Sequence, residues 1–222
     1  MKLFSLALSI KKIPKVTWSS EDAFNLKPKP LTLIFLVFGL FLFGLGESLL
    51  ITSSAGVTPY TVLAQGISNF SDWSIGLSTF VISIFVLLMW IPLKQKPGMG
   101  TILNAFIIAL TIEFSVYYLP YPETYPMQIL QVVVGVLIIG IGSGFYLIAN
   151  LGAGPRDGLM IGLQKKTNLP IYSIRTIIEV SVVIVGWLMG GVVGLGTAIF
   201  AFGIGPSVAL GLSMVGKASN KT

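Results

Sequence analysis

The chain has 222 residues, of which 54% are hydrophobic and only 10% are charged, and its mean hydropathy is +0.90. Soluble domains contain about 25% charged residues, so this composition excludes an ordinary soluble protein and predicts an integral membrane protein. The sequence has no cysteine and no histidine. Disulfides, thiol and imidazole nucleophiles and the most common soft metal ligands are thereby excluded, and we expect neither a cofactor nor a metal site.

The N-terminal 30 residues are basic, contain several prolines and show no signal-peptide cleavage site. We interpret residues 1–30 as a cytosolic tail, with Leu3–Ile10 resting on the membrane surface. A single transmembrane domain is predicted for residues 31–216, followed by a short cytosolic tail of residues 217–222.

Apolar runs of about 20 residues are long enough to cross a bilayer as helices, and six such runs follow the tail. They are Leu31–Ile51, Trp73–Leu93, Thr101–Leu119, Met127–Ala149, Ile171–Gly190 and Thr197–Val215. The first and fourth runs end at a glycine-proline break, and a shorter mixed segment follows each break. Proline suits the first turn of a helix, so Pro59–Phe70 and Pro155–Lys166 are each predicted to form a short helix.

The two breaks belong to an internal repeat. Gly56–Pro59 aligns with Gly152–Pro155, ninety-six positions later, and residues 39–110 align with residues 135–206 without a gap. Seven of the identical positions are glycine, which a shared apolar composition does not readily produce. We therefore predict an all-α polytopic fold of six transmembrane helices in two three-helix repeats, residues 31–119 and 127–215, with a Gly/Pro-broken short helix in each.

The basic residues predict the orientation of the chain. All 14 of them fall on one predicted side, whereas the connections 52–72, 120–126 and 191–196 contain no lysine or arginine. The positive-inside rule assigns the basic side to the cytoplasm, which places both termini there. The excess of positive charge is thus explained by topology, and nucleic acid is not expected as a partner. A three-span repeat reverses its orientation, so the repeats are predicted to be inverted, as in many transporters.

The broken helices supply the first set of candidate binding residues. A helix that begins inside a protein presents unpaired backbone N–H groups and the positive end of its dipole, which suit an anion or a polar solute. If both breaks dip into the membrane, they face each other near its middle. In the alternative interpretation, both short helices lie flat at the interfaces, and Arg156 and Asp157 neutralise each other. The candidates are Thr58, Tyr60, Thr61, Gly154, Arg156 and Asp157.

Arg175 and Glu179 are the second set, because they are four residues apart within a predicted span and can form an ion pair. Charged residues inside a membrane are costly and are commonly functional, although a structural pair that locks this helix to its neighbours remains the alternative. Glu47 and Glu113 lie nearer the external ends of their spans, and we expect them to reach interfacial water; a place in a cation or proton path is the alternative. Asn104 and Asn150 are polar near the cytoplasmic ends of their spans, and both are expected to hydrogen-bond to backbone.

The second half of the sequence resembles the YczE-like bacterial integral membrane proteins, which are grouped with the YyaS and YitT proteins. This resemblance implies a multi-pass protein of the bacterial plasma membrane, and it supplies no catalytic or ligand residues. It covers residues 135–210 most specifically. It is carried by Asn150–Met160, Arg175, Glu179, Gly186–Leu188, Gly190, Gly191, Gly194, Gly196, Thr197 and Ile204–Pro206.

The leading functional hypothesis is a transporter or channel for a small polar or anionic solute that binds between the repeats. The alternative is a membrane accessory or scaffold protein that does not transport and docks a cytosolic protein partner through its basic face. An intramembrane enzyme is not expected, since only carboxylate chemistry remains and no close carboxylate pair is visible. The lipid bilayer and an unknown small solute are the expected partners.

Overall fold

The computed structural model describes residues 13–219, so the predicted surface segment Leu3–Ile10 lies outside the described residues. Between residues 13 and 219 the protein is all-helical, in agreement with the predicted fold class. Its eight helices are α1 (Pro30–Ser53), α2 (Pro59–Ser71), α3 (Ile75–Trp90), α4 (Met99–Ser115), α5 (Tyr125–Ala149), α6 (Pro155–Thr167), α7 (Ile171–Leu188) and α8 (Leu195–Ser219).

Four of these helices, α1, α5, α7 and α8, are long and apolar enough to cross a membrane. α4 is apolar but has only 17 residues, and α2 and α3 meet at a bend of 114°. The predicted third span was too long, because its helix ends at Ser115 and not at Leu119. Tyr117 and Tyr118 follow as exposed turn residues, 76% and 87% exposed, so this stretch is apolar in composition but not helical.

The centre of the molecule is the packing of α1 against α5, with α4 beside α1 and α8 beside α5. Glycines allow α1 and α5 to approach closely. A Cβ atom at Gly39 would lie 2.7 Å from the carbonyl oxygen of Gly142, and one at Gly46 would lie 2.7 Å from that of Gly135. Positions rise along α1 as they fall along α5, so the two helices are antiparallel, and the Ser53 end of α1 lies beside the start of α5.

Both long helices end in the same local conformation. Ser54 and Asn150 follow α1 and α5 with left-handed φ values of 57° and 52°, and Gly56 and Gly152 follow with φ values of 116° and 114°. Residues with a side chain rarely adopt these last two angles, which explains glycine at both positions. Ser54 and Asn150 are ninety-six positions apart, as are Gly56 and Gly152, and this is the spacing of the sequence repeat.

Each connection is held by the start of a helix from the other half of the chain. The Gly196 N–H donates to the Ala55 carbonyl oxygen over 2.8 Å, and the Gly100 N–H donates to the Leu151 carbonyl oxygen over 2.7 Å. These contacts join the first connection to α8 and the second to α4. Backbone polar groups that would otherwise be buried without partners are thereby satisfied.

Residues 13–29 cover the Pro30 end of the bundle. The Trp18 side chain is 3% exposed and packs on Phe35, and its indole N–H donates to the Ser219 hydroxyl over 3.0 Å. The Ser20 N–H donates to the carbonyl oxygen of Ala149. This part of the predicted tail is therefore packed against the transmembrane helices.

The two halves differ in how their helices pack. α3 packs against α4, whereas α7, which occupies the corresponding place in the second half, makes no comparable contact with α8 in the described chain. α7 packs on α2 and α6, and only Ile174 and Gly186 of its residues are buried. A gap therefore separates α7 from α8.

Candidate functional site

The starts of the two short helices come together in the interior. The guanidinium carbon of Arg156, at the start of α6, lies 4.1 Å from the centre of the Tyr60 ring, at the start of α2. This distance fits a cation–π contact. Both helices begin with a proline, at Pro59 and Pro155, as the sequence predicted.

Glu47 lies directly behind this contact. Its side chain is 1% exposed, and the nearest Arg156 nitrogen lies 3.9 Å from Oε1. The Thr61 hydroxyl donates to Oε2 over 2.6 Å, and the Thr58 hydroxyl donates to the same oxygen over 3.1 Å. The carboxylate of this α1 residue thus interacts with groups from two other helices, α2 with its cap and α6.

The prediction that Glu47 reaches interfacial water was wrong. Glu47 precedes the end of α1 by less than two turns, but the chain reverses at Ser54–Thr58 and α2 runs back over it. A helix position near a span end is exposed only if the next segment leads away. The available sequence signal was the three-residue spacing of Thr58 and Thr61 at the start of α2, which does not by itself identify Glu47 as their common partner.

Arg156 pairs with Glu47 and not with its neighbour Asp157. It makes no hydrogen bond to any group in residues 13–219, so its N–H donors are unused. Asp157 has no ion-pair partner within 4 Å in the same range. The interpretation of Arg156 and Asp157 as a self-neutralising pair is met only in part: the ion pair of Arg156 is with Glu47, while its charge also acts favourably on the neighbouring Asp157 carboxylate.

Arg175 and Glu179 form the predicted ion pair on α7. The Arg175 Nε donates to the Glu179 Oε1 over 2.8 Å, and the two side chains are 52% and 26% exposed. Only one donor of the Arg175 guanidinium is used in this contact. The predicted pairing is confirmed, while its role stays a prediction.

A cavity of about 380 Å³ joins these groups. Such a volume lies in the range of small-molecule sites, about 300–1,000 Å³. Six of the eight predicted site residues line it, and the other two, Thr58 and Thr61, lie behind it at Glu47. The six are Tyr60, Gly154, Arg156, Asp157, Arg175 and Glu179.

The cavity wall also contains polar and aromatic residues that the sequence did not single out for binding. Those from α1, α5 and α8 were missed because apolar spans full of glycine carry no local signal for the face that meets a cavity. A methyl group built on Gly205 of α8 would meet no atom within 4 Å, so this side of the wall is open. The added residues include Phe43, Asn104, Ser143, Tyr146 and Phe200.

The remaining polar candidates lie elsewhere. Glu113 borders a separate apolar groove of about 400 Å³ between α3 and α4, where its Oε2 is buried without a hydrogen-bond partner in the described chain. The expectation that Glu113 reaches interfacial water is therefore not met for this oxygen. The Asn150 side-chain amide donates to the Ser20 carbonyl oxygen over 2.8 Å, which confirms the expected bond to backbone for this residue. The same prediction was wrong for Asn104, whose side chain lines the cavity and forms no hydrogen bond within residues 13–219.

Comparison with known proteins places the chain in a family. Residues 31–212 match the model of the family of unknown function DUF6198. The chain belongs to this family. The match includes all residues that line the cavity, so the site described above lies within the part that defines DUF6198.

Three bacterial relatives are similar over most of their length. An uncharacterised protein of Haemophilus influenzae is 39% identical over 94% of both chains. The uncharacterised membrane protein YczE of Bacillus subtilis is 32% identical over 73% of this chain and 77% of its own, and YyaS of the same species is 24% identical over 72% and 81%. No solved structure matches the chain. The YczE-like resemblance is thus confirmed, and this DUF6198 protein is a membrane protein.

Proposed function

We propose that the protein is a transporter or channel for a small anionic solute that binds in the cavity between two inverted halves of the chain. The observation that carries this proposal is a pair of arginines, Arg156 and Arg175, that line one intramembrane cavity with unused donors. Binding and translocation require no covalent step, so no enzymatic activity is proposed.

The inverted arrangement is supported by two equivalent contacts, each of which joins a residue of one half to a residue of the other half. Ala55 meets Gly196 in one connection, and Leu151 meets Gly100 in the other. These residues are related by the same ninety-six positions, as a two-fold axis in the membrane plane requires. We propose that α1, α3, α4, α5, α7 and α8 are the six spans, because inverted repeats of three spans place equivalent breaks on opposite sides.

The short helices are proposed to be re-entrant. The two breaks follow opposite ends of the α1–α5 pair, and α1 alone is about 36 Å long at 1.5 Å per residue. Two connectors lying flat on opposite surfaces would stay that far apart, which no arginine side chain spans. Arg156 nevertheless contacts Tyr60. The two connections that precede α2 and α6 therefore turn inward before these helices begin.

The charges favour an acid that also carries hydrogen-bond donors. Arginine binds carboxylate and phosphate groups with two parallel N–H bonds, and the helix starts at Pro59 and Pro155 add the positive ends of two dipoles. Asp157 lines the same cavity without an ion-pair partner. Its carboxylate suits a hydroxyl or ammonium group of the bound solute, as in hydroxy or amino acids.

The proposed location is the bacterial plasma membrane with both termini in the cytoplasm. Three helices, α3, α6 and α8, end at the Pro30 end of the bundle, and lysines lie in their last turns or just after them. These lysines are Lys94, Lys96, Lys165, Lys166 and Lys217. Arg156 and Arg175 are exceptions to the surface placement of basic residues, because both line the cavity. The positive-inside rule supports a cytoplasmic Pro30 end.

The test begins with purified protein, since the solute has to be found. A panel of small carboxylates, phosphorylated compounds and amino acids is screened for an increase in melting temperature, and the compounds that raise it are followed as radiolabelled solutes in proteoliposomes. Arg156→Ala is expected to abolish both stabilisation and flux, because it removes the main anion-binding group. Lys165→Ala, an exposed cation on the same helix, is the matched control and keeps both.

Two outcomes contradict the proposal. One is an inserted, folded Arg156→Ala protein that transports at the wild-type rate. The other is the absence of any solute effect together with a cellular defect when Lys165 and Lys166 are neutralised, which would favour the docking of a cytosolic partner instead.

A further inference from the structure

The counter-ion of Glu47 is also a residue of the proposed solute-binding site. In the described chain, Arg156 is the one cation within 4 Å of its carboxylate, and it approaches only to 3.9 Å. The other contacts of the carboxylate are hydroxyl groups, from Thr58 and Thr61. The same Arg156 lines the cavity in which the solute is proposed to bind.

Arg156 therefore has two competing anions once the cavity is filled. When its guanidinium forms two hydrogen bonds with a solute carboxylate or phosphate, it leaves Glu47 as a buried carboxylate without a counter-ion. An isolated charge in a low-dielectric interior is costly, and an acid in that position binds a proton. The two threonine hydroxyls can reorient, so that the protonated Glu47 donates to one of them.

No other charged group replaces Arg156 at Glu47. On α7, Arg175 is engaged with Glu179, and both lie across the cavity. α6 adds the carboxylate of Asp157, and α2 adds the phenol of Tyr60, which are not positively charged. Within their described residues α5 has no charged side chain, α4 has only Glu113, which borders the other groove, and α8 has only Lys217, which lies at its far end.

We propose that Glu47 is a proton-binding site that couples solute movement to a proton, an inference that rests on the proposed function. In each cycle one solute anion binds Arg156 and one proton from water binds the Glu47 carboxylate. On the other side of the membrane the solute dissociates, the proton leaves, and Arg156 returns to Glu47. One anion and one proton cross together, and the site stays electrically balanced in both states.

The first test needs no solute, because Arg156→Ala reproduces the departure of the arginine. Infrared spectra of the purified protein are recorded at neutral pH in an ester-free detergent. Arg156→Ala is expected to gain a protonated carboxylic acid C=O band that is absent from the double variant Arg156→Ala/Glu47→Gln, in which the other carboxyl groups are unchanged. Wild-type protein is expected to lack this band. Equal spectra for the single and the double variant would overturn the proposal.

Stability provides a second readout if Arg156→Ala is poorly folded. If the Glu47 carboxylate is uncompensated, the melting temperature of Arg156→Ala is expected to fall below that of the wild type as pH rises. Adding Glu47→Gln to the same chain is expected to restore the melting temperature and to remove its pH dependence. A double variant as unstable and as pH-sensitive as the single one would show that Glu47 is not the responsible group.

The transport arm separates this inference from the proposed function. With a solute found in the panel, uptake into proteoliposomes by wild-type protein is expected to be driven by an inward proton gradient, and Glu47→Gln is expected to lose that dependence. Glu113→Gln, a carboxyl outside the cavity, is the control and keeps it. Flux of the wild-type protein that ignores the gradient overturns proton coupling but leaves transport intact. If the infrared band appears but no solute is transported, the proton-binding site is supported and the transport proposal is rejected.

Discussion

Thr61 shows how a single hydroxyl stabilises the centre of this protein. It forms the shortest contact of the Glu47 carboxylate, at 2.6 Å, and it is 1% exposed. A hydrogen bond to a charged group contributes about 1.5–3 kcal/mol, more than a neutral one. Threonine and valine have nearly the same shape, so the substitution removes the bond with little change in packing.

We expect Thr61→Val to lower the free energy of unfolding by about 1–3 kcal/mol, because it leaves a buried carboxylate with fewer donors. The measurement is unfolding of the purified protein in mixed micelles. Thr111→Val is the matched control: Thr111 is also buried, but it donates only to the Ile107 carbonyl oxygen of its own helix. Equal losses in the two variants would contradict a special role for the Glu47 contact.

Residue-level prediction succeeded where the partner was local. Arg175 and Glu179 are one helical turn apart, and their pairing follows from helix geometry alone. Glu47 and Arg156 are separated by about half of the chain, and neither local sequence indicates that the two residues meet. Their contact depends on how far two broken helices enter the bundle, which is a property of tertiary packing.

The broken elements were predictable because glycine and proline restrict the backbone directly. The short helices expected at Pro59–Phe70 and Pro155–Lys166 are found at Pro59–Ser71 and Pro155–Thr167. The end of the third span was not predictable from hydropathy, since Val116 and Leu119 flank Tyr117 and Tyr118 and keep the stretch after Ser115 apolar enough to read as part of the span. The predicted length of a span was therefore wrong where the composition does not change at the end of the helix.

We expect Gly56→Ala to destabilise the protein strongly, by about 1–3 kcal/mol from backbone strain alone. Its φ is 116°, and a Cβ atom there would also lie 2.7 Å from the Gly194 nitrogen. Gly205→Ala is the comparison, because its Cβ meets no atom and alanine favours helix. Melting temperatures of the two variants test this, and a Gly56→Ala protein as stable as Gly205→Ala would refute the strained connection.

At the scale of the whole molecule, the repeat predicted which segments correspond but not how the halves differ. The sequence alignment places α7 opposite α3 without stating that α7 lies apart from α8. The differences that accompany this gap are single residues, such as Pro206 inside α8 where the first half has Leu110. An alignment scores such positions as mismatches and carries no information about packing.

The proposed topology is testable with a chain that has no native cysteine. Ser54→Cys and Lys166→Cys place single thiols at exposed positions near opposite ends of the bundle. In intact cells, a membrane-impermeant maleimide is expected to label Ser54→Cys, and Lys166→Cys is expected to react only after the membrane is permeabilised. Labelling of both from the same side would exclude inverted halves, while Lys96→Cys serves as a second marker for the side of Lys166.

The hydrogen bond from Gly196 to Ala55 has a consequence for how the chain is made. A ribosome completes the first three proposed spans long before residue 196 emerges, so the Ala55 carbonyl then lacks the partner that satisfies it in the finished protein. A buried backbone group without its hydrogen-bond partner costs about 1–3 kcal/mol. The first half is therefore expected to remain open, and vulnerable to membrane proteases, until the last helix is inserted. A nascent chain arrested just before that helix is expected to be degraded quickly, whether or not the finished protein transports a solute.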